Sequence, residues 1–472
     1  MMAALMPPRK ESRTKLLWFA FVLSIITYID RVCISTAAPA IRQELGLSTV
    51  QVGWMFSVFT FAYAFFEIPS GLFADIIGPR RMMTRIVIWW SAFTAATGLA
   101  WNFTVLLVTR FFFGVGEAGA FPTISRSFSR WFPRREVGNA HGVLFMGTRF
   151  GGALAPPLVV AIMTFAGWRM SFFLFGMLGV IWSVFWWKWY RDDPREHAGT
   201  THEEVQEILE GIEQGHRATV HWREFFSGNL LLICLMYFCV GYAFYFYLTW
   251  LPTYLKEARG FTTQQAGLLA GLILFAGGVA TAMGGRLTDF LVRRYGLRIG
   301  RSVGVVAMPA SGAILLIVAS TENAMLAAAL LALAAAVADL CVSACWTMCH
   351  DVAGDAAGTA TGCMNTFGNL GGAISPLVVG YAVQWWGSWS TPLIVTAGVC
   401  ALCGLLTLTI DPTQTVAASP VRPDFKASFV FGSERLALEG TFLSSLIFAI
   451  RVRIASKVST DATANAPGRL YS

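Results

Sequence analysis

The feature that most constrains this chain is the recurrence of long apolar segments along almost its whole length. A bilayer core about 30 Å thick needs roughly 20 apolar residues per helix, and we count about twelve windows of that size. Because they are not confined to one end, they predict a polytopic all-α membrane protein rather than a signal peptide or a single anchor. The windows lie near residues 16–37, 52–74, 82–101, 105–128, 139–164, 168–189, 228–254, 264–290, 302–320, 324–349, 358–384 and 388–410.

The composition disfavours a soluble enzyme. Of 472 residues, 56% are hydrophobic and only 13% are charged, against roughly 25% charged residues in soluble domains. No HExxH motif, paired histidines or nucleophile elbow indicates enzymatic chemistry. Cys341, Cys345 and Cys349 share one helical stripe, and we interpret them as packing residues because no ligand set for a metal surrounds them. We therefore expect neither a metal nor a cofactor.

The net charge of +8 follows membrane topology. With the N-terminus on the inside, the outside loops hold only Arg42, Arg169, Lys256 and Arg259. This positive-inside bias predicts cytoplasmic termini in a plasma membrane or bacterial inner membrane. Nucleic-acid binding is not expected, since the basic residues are spread over short loops without a patch. The inside loops hold Arg9, Lys10, Arg13, Lys15, Arg80, Arg81, Arg85, Arg134, Arg135, Lys188, Arg191, Arg195, Arg217, Arg223, Arg293, Arg294, Arg298 and Arg301.

Two internal echoes divide the chain into halves. "GLFADIIGPRR" (71–81) corresponds to "GRLTDFLVRRYG" (285–296), and "GGALAPPLVV" (151–160) corresponds to "GGAISPLVVG" (371–380). The near-equal separations predict two pseudo-symmetric six-helix bundles, with substrate bound at their interface near the membrane midplane. The boundaries that we predict are 1–189 for the first bundle, 190–227 for a cytoplasmic linker, 228–411 for the second bundle and 412–472 for a tail.

The linker and the tail carry no predicted site. Within the linker, residues around 201–214 form an amphipathic pattern that we interpret as a short solvated helix. The tail contains only one apolar run, "FLSSLIFAI" (442–450), which is too short to span a bilayer. We expect the tail to be mostly disordered or weakly interfacial.

"GLFADIIGPRR" resembles the signature of the major facilitator superfamily, which lies between the second and third helices of that fold. Gly71 permits close helix approach, Asp75 can cap or pair at a helix end, and Arg80 and Arg81 supply inside charge. The resemblance implies a transporter that works by alternating access. The motif residues are Gly71, Asp75, Gly78, Arg80 and Arg81, with Asp289 in the degenerate second copy.

Ionisable residues inside apolar spans are costly and mark functional sites. In the first span Arg31 shares a helix face with Tyr28, while Asp30 points about 100° away. In the fourth span Arg110 and Glu117 share a face about 10 Å apart along the helix. These charges either neutralise one another or bind an anion while a carboxylate takes up a proton, because a guanidinium fork matches a carboxylate and keeps its charge.

A narrower resemblance supports the second alternative. "YIDR", "RFFFGVGEAGAFPT" and "WFPRREVGNAHG" are similar to the anion:cation symporter branch, which includes carriers for hexuronates, galactonate and glucarate, sialin and the vesicular glutamate carriers. It implies symport of a small organic anion with a proton, which is the only coupling ion expected. The implied roles are proton coupling by Asp30 and Glu117, anion contacts by Arg31 and Arg110, pocket hydroxyls at Tyr28 and Tyr63, and further substrate contacts at Ser343, Trp346 and Asn365.

Arg149 departs from this branch. Sugar-acid carriers tend to place a polar amide where this chain has Thr148 and Arg149, and a serine or threonine where it has Cys345. Arg149 either pairs with Glu67, which we slightly favour, or binds a second anionic group of the substrate. Sugar acids such as a hexuronate or an aldonate are the leading substrate class, and aromatic carboxylates and sulfonates are the alternatives.

Other functions remain open at this stage. The same fold could serve a uniporter, an exchanger or a non-transporting receptor, although a receptor has no need of intramembrane acid and base pairs. The spacing of Gly114, Gly116 and Gly119 matches a dinucleotide-binding loop, but they lie inside an apolar span. We interpret these glycines as clearance around Glu117 and Arg110. We expect a monomer in the lipid bilayer.

Overall fold

The fold is all-helical throughout residues 11–197, 199–213, 228–353 and 357–414, which a computed structural model describes. This confirms the predicted fold class. The helices are α1 Glu11–Leu45, α2 Thr49–Ile77, α3 Pro79–Gly98, α4 Phe103–Glu117, α5 Ala120–Trp131, α6 Arg134–Trp189, α7 His202–Glu213, α8 Asn229–Thr249, α9 Leu251–Glu257, α10 Thr263–Tyr295, α11 Leu297–Arg301, α12 Val303–Ser320, α13 Ala324–Asp339, α14 Val342–Ala353, α15 Ala357–Trp386 and α16 Ser390–Thr409, with a 3₁₀ turn at Pro194–Glu196.

Within the described ranges these helices supply twelve membrane spans. Ten segments are long and apolar enough to cross a membrane. One of them covers 54 residues, or about 80 Å of helix, and the positive φ of 75° at Gly167 divides it into two spans. The twelfth span is α3, which falls short in hydropathy because its first turn carries Arg80 and Arg81. Every predicted window is occupied by helix.

The helix contacts define two bundles related by pseudo-symmetry. In the first half α1 and α3 pack against α6, and in the second half α15 and α16 pack against α8 while α12 packs against α16. The halves meet where α2 packs on α15 and α6 packs on α10. The second span of each half therefore packs on the fifth span of the other, and this symmetry agrees with the two halves of common design that the internal echoes predict.

The interface between the bundles is tight at the end predicted to face outside. A Cβ on Gly53 would lie 2.7 Å from the carbonyl oxygen of Pro376, so only glycine permits this approach of α2 to α15. Nearby, Arg42 Nη1 and Glu257 Oε2 are 2.8 Å apart across the interface. These contacts hold the two bundles together at the predicted outer end.

The superfamily signature is fixed to the start of the linker. Gly78 has φ 87°, and a Cβ there would lie 2.6 Å from a carboxylate oxygen of Asp192. That carboxylate caps α3 by accepting the backbone N–H of Arg80 at 2.9 Å. The guanidinium of Arg80 donates to the carbonyl oxygen of Trp187 at 2.7 Å. The conformation and the lack of a side chain at Gly78 are therefore both required.

The other signature residues make less specific contacts. A Cβ on Gly71 would make an ordinary contact of 3.5 Å with Pro122, whereas Arg81 and Asp289 are exposed. The side chain of Asp75 lies outside the described part of the chain. Its predicted capping role stays a prediction.

The linker helix α7 is docked rather than solvated, which corrects our expectation. Val205 and Ile208 are buried, and the nearly inaccessible guanidinium of Arg13 on α1 pairs with three carboxylates, those of Glu136, Glu204 and Glu207. Its Nη1 is 3.0 Å from Glu136 of α6, and its Nη2 is 3.1 Å from Glu207 of α7. The apolar face of this amphipathic helix is the face that packs on the first bundle. Nearly all of the predicted tail, from residue 415 onward, lies outside the described residues, and the domain boundaries stay predictions.

Candidate functional site

A buried ion pair between two helices forms the centre of the candidate site. Arg31 Nε on α1 donates to Glu117 Oε1 at the end of α4 over 2.7 Å. The Glu117 side chain is fully buried, and that of Arg31 is 6% exposed. The sequence places each residue on a helix face beside another charge, but the structure pairs them across the helices. Both Arg31 Nη2 and Glu117 Oε2 are buried without a hydrogen bond to any described residue.

Pro122 explains why Glu117 lies at a helix end. Proline lacks an N–H, and its ring clashes with the carbonyl of the residue four positions earlier, which is Ala118. The helix accordingly breaks at Ala118 and Gly119, between α4 and α5. The Glu117 carboxylate is therefore carried at an interruption within the fourth span. Interruptions of this kind lie inside the protein, where neighbouring groups satisfy the backbone.

The glycines of "GVGEAG" provide clearance, which confirms our interpretation. A Cβ on Gly114 would lie 2.4 Å from the backbone oxygen of Phe59, and one on Gly116 would lie 2.1 Å from the Trp89 ring. A Cβ on Gly119 would likewise collide with α3. The spacing therefore allows α2 and α3 to approach α4 closely around Glu117.

Aromatic rings surround the Arg31 guanidinium. Its carbon lies 4.5 Å from the Tyr63 ring centre and 5.3 Å from those of Tyr28 and Phe59. Phe121 of α5 contributes a fourth ring at 6.0 Å. Such cation–π contacts stabilise a desolvated guanidinium. The predicted residues Tyr28, Arg31 and Tyr63 thus form one group.

Asp30 and Arg110 are buried within the first bundle, next to the Arg31 group. Arg110 is 1% exposed, with its guanidinium 4.3 Å from the Phe113 ring centre and 5.0 Å from that of Phe59. Asp30 is equally buried, and neither of its oxygens accepts a hydrogen bond from a described residue. Arg110 is the nearby positive charge that acts on Asp30. Arg110 is thus buried against aromatic rings of its own bundle, and its expected anion contact stays a prediction.

Glu67 joins the two bundles. Its carboxylate accepts the amide N–H of Asn365 at 2.9 Å and that of Asn369 at 3.5 Å. Tyr245 donates to Asn369 Oδ1 at 3.3 Å. Asn365, predicted as a substrate contact, is thus at the interface but binds a carboxylate of the opposite bundle. The sequence analysis missed Asn369 and Tyr245, since nothing distinguishes them before the partner span is known.

Arg149 pairs with Asp339, so the favoured pairing with Glu67 is wrong. Arg149 Nη1 on α6 is 3.5 Å from Asp339 Oδ2 at the end of α13, across the bundle interface. The Arg149 guanidinium also lies 5.2 Å from the Phe244 ring centre. Asp339 is the lone carboxylate of "ALAAAVADL". The rule that selected Asp30 and Glu117 applies to it equally, and the sequence analysis overlooked it.

The remaining predicted contacts lie on α14. Trp346 Nε1 donates to the Tyr237 hydroxyl at 2.8 Å, and its ring centre is 5.6 Å from that of Phe145 in the first bundle. Ser343 donates to the carbonyl oxygen of Thr281 at 3.0 Å, within the second bundle. Trp346 therefore lies at the interface, whereas the Ser343 hydroxyl is already engaged.

The described residues offer no metal centre. They contain no group of three or more histidine, cysteine, aspartate or glutamate side chains placed to hold a metal ion. Cys341, Cys345 and Cys349 are buried in the second bundle, in agreement with a packing role.

A family model decides the affiliation of the chain. The model of the Major Facilitator Superfamily matches residues 20–376. The chain belongs to the Major Facilitator Superfamily. It is therefore a multi-pass membrane transporter and not an enzyme. Among solved structures, a bacterial homologue of the human lysosomal transporter Spinster, in an inward-facing and occupied conformation, matches 86% of this chain and 98% of its own at 18% identity and a TM-score of 0.70.

Curated relatives of this superfamily member carry organic anions by name. It is 38% identical to the probable sulfoacetate transporter SauU of Cupriavidus necator, over 90% of this chain and 99% of that protein. The hexuronate transporter of Bacillus subtilis is 29% identical, over 87% and 99% of the two chains. The D-galactonate transporter of Escherichia coli is 30% identical, over 82% and 92%. These matches support the anion:cation symporter branch.

Proposed function

We propose that this transporter moves a small organic anion across the membrane together with a proton. The carrying observation is the 2.7 Å contact between Arg31 and Glu117, buried within an aromatic surround. Arg31 is a fixed charge, whereas Glu117 is a carboxyl group that exists with or without a proton. The partner of Arg31 is therefore the group whose protonation controls whether the guanidinium is available.

The electrostatics of this pair favour coupled binding. Burying an unpaired charge is costly, so an apolar site prefers a neutral sum of charges. An anion that enters while Glu117 is ionised places two negative charges against Arg31. If Glu117 accepts a proton first, the guanidinium forms a neutral pair with the incoming carboxylate or sulfonate. We infer that Glu117 is the main proton-coupling acid and that Asp30, beside Arg110, is the second.

Groups from both bundles complete the proposed binding site. Tyr28 and Tyr63 offer hydroxyls beside Arg31, and Trp346 and Asn365 reach the first bundle from the second through Phe145 and Glu67. An anion that contacts both sides stabilises their approach, which suits alternating access. Arg110 acts as the charge partner of Asp30, and the engaged hydroxyl of Ser343 makes it the weakest candidate for substrate contact. The contacts at the predicted outer end favour access from the inside.

Two substrate classes have support. Sugar acids remain the leading class, because relatives at 29% and 30% identity are named for hexuronate and D-galactonate. Short sulfonates are the second class, because the relative at 38% identity is named for sulfoacetate. We propose a bacterial inner membrane location, with both termini in the cytoplasm and a monomer as the working unit.

Uptake by proteoliposomes tests this proposal. The purified chain is assayed with radiolabelled galacturonate, gluconate and sulfoacetate, with and without an inward proton gradient. We expect one of these classes to accumulate only with the gradient. Glu117→Gln abolishes gradient-driven accumulation but retains counterflow, whereas the exposed control Glu322→Gln behaves as wild type. Gradient-driven accumulation by Glu117→Gln contradicts the coupling role, and gradient-independent exchange by the wild type indicates an exchanger.

A further inference from the structure

The Arg149–Asp339 pair occupies a place shaped for it. A Cβ on Gly277 would lie 2.3 Å from Asp339 Oδ2, and one on Gly278 would lie 3.0 Å from Arg149 Cβ. Two consecutive glycines of α10 thus make room for the carboxylate and for the arginine stem. Any side chain at Gly277 would displace Asp339. The ion pair is therefore accommodated by the local backbone at the bundle interface, and it is separate from the Arg31–Glu117 pair.

The ion pair between Asp339 and Arg149 has a long contact distance. Their contact of 3.5 Å is long beside the 2.7–2.9 Å of a typical charge-assisted hydrogen bond. Nη1 makes the one hydrogen bond that Arg149 forms within the described residues, although a guanidinium has five N–H donors. The Arg149 side chain is 24% exposed, in contrast to 6% for Arg31. Arg149 thus has donors available to a ligand.

A buried hydroxyl without a hydrogen bond to any described residue lies close to Asp339. It lines a small cavity of about 20 Å³ together with Tyr247 of α8 and Met308 of α12, space for about one water molecule. The Tyr247 hydroxyl is buried and makes no hydrogen bond to a described residue. Arg149 is the opposite charge that acts on Asp339, and Tyr247 and Cys341 are the other ionisable groups near it. If Arg149 turns away, the carboxyl can turn toward Tyr247.

Arg149 lies near the Arg31 group. Gly152, one helical turn from Arg149, faces the Tyr28 ring with 3.6 Å between an added Cβ and that ring. The same ring lies 5.3 Å from the Arg31 guanidinium. One turn is about 5 Å, and Tyr237 is close enough to interact electrostatically with both Arg149 and Tyr28. Arg149 and the Arg31 group therefore lie on neighbouring parts of the bundle interface.

We propose that Arg149 is a second anion-binding residue, that Asp339 is its exchangeable counter-ion, and that the substrate is consequently a small dianion. One anionic group of the substrate binds Arg31, and the other displaces Asp339 from Arg149. This inference rests on the proposed function. It narrows the substrate to molecules with two acidic groups, either a short sulfo-carboxylate or a longer sugar diacid.

Two matched ligand pairs test the proposal. Sulfoacetate and isethionate differ by one carboxylate against one CH₂OH, and so do glucarate and gluconate. Binding to the purified full-length chain is measured by isothermal titration calorimetry at one pH. We expect the dianion of at least one pair to bind at least tenfold more tightly than its monoanion. The pair that discriminates also distinguishes the sulfo-carboxylate from the sugar diacid.

Substitutions then assign the preference to the site. We expect Arg149→Gln to weaken binding of the dianion about tenfold and to leave the affinity for the monoanion within about twofold of the wild type. Asp339→Asn should strengthen binding of the dianion. The exposed control Arg286→Gln changes neither. If Arg149→Gln proves unstable, Arg149→Lys keeps the charge but loses the fork, and a reduced preference is again expected.

Each contrary result has one meaning. Equal binding of monoanions and dianions by the wild type overturns this inference and leaves the proposed anion transport intact. A preference that survives Arg149→Gln also overturns it. If the wild type binds none of the four ligands, the proposed function fails in its substrate classes as well.

Discussion

Replacing Arg31 by glutamine should destabilise the first bundle far more than its size change suggests. The substitution removes the ion-pair partner of Glu117, which is fully buried and forms this one salt bridge within the described residues, and leaves Arg110 as the nearby positive charge. Removing one partner of a buried pair costs about 3–5 kcal/mol. A change of 1 kcal/mol shifts the melting temperature of a 150–250-residue domain by about 2–4 °C. We therefore expect Arg31→Gln to lower the Tm by roughly 6–20 °C.

The double variant Arg31→Gln with Glu117→Gln is the decisive control. It removes both charges and leaves two neutral amides that can hydrogen-bond, so we expect a loss of only about 1 kcal/mol. Thermal unfolding of the purified proteins in one detergent, followed by tryptophan fluorescence, measures both effects. If the double variant is as unstable as Arg31→Gln alone, the loss of stability does not come from the uncompensated Glu117 carboxylate.

Three further predictions follow from contacts elsewhere in the fold. Gly114→Ala should lower the free energy of unfolding by about 1–3 kcal/mol because of over-packing, which thermal unfolding measures. Gly398→Ala, which has open space for its Cβ, should change stability little. Arg42→Gln should lower the free energy of unfolding by less than about 1 kcal/mol, because its partially exposed bond to Glu257 is weak. Hydrogen exchange near residues 49–53 should nevertheless rise, and unchanged exchange would mean that the Arg42–Glu257 pair does not hold the bundles together there. Arg13→Gln should release α7, so that limited proteolysis cuts the linker faster; equal rates would mean that the apolar face alone holds it.

The spans were predictable because membrane insertion is read directly from local composition. Each apolar window is occupied by helix, and the repeat of "GLFADIIGPRR" predicted two halves of common design. The break after Glu117 follows from Pro122, also a local rule. These features depend on neighbours along the chain.

Side-chain partners were not predictable in the same way. Arg31 and Glu117 are 86 residues apart, and their pairing depends on the rotation and depth of two helices that periodicity does not determine. The sequence analysis offered Glu67 of α2 as the partner of Arg149, whereas the partner is Asp339 of α13; that choice depends on how α6 lies against the second bundle, which local sequence does not determine. The docked face of α7 was visible as an amphipathic pattern, but its partner Arg13 was not.

Proton uptake on anion binding tests directly whether Glu117 couples the proton to the anion. The purified protein is mixed in a weakly buffered solution with an anion that it binds, and a pH indicator measures protons taken up per anion bound. We expect proton uptake in the wild type and its loss in Glu117→Gln. Binding without proton uptake, or equal uptake by Glu117→Gln, would contradict it.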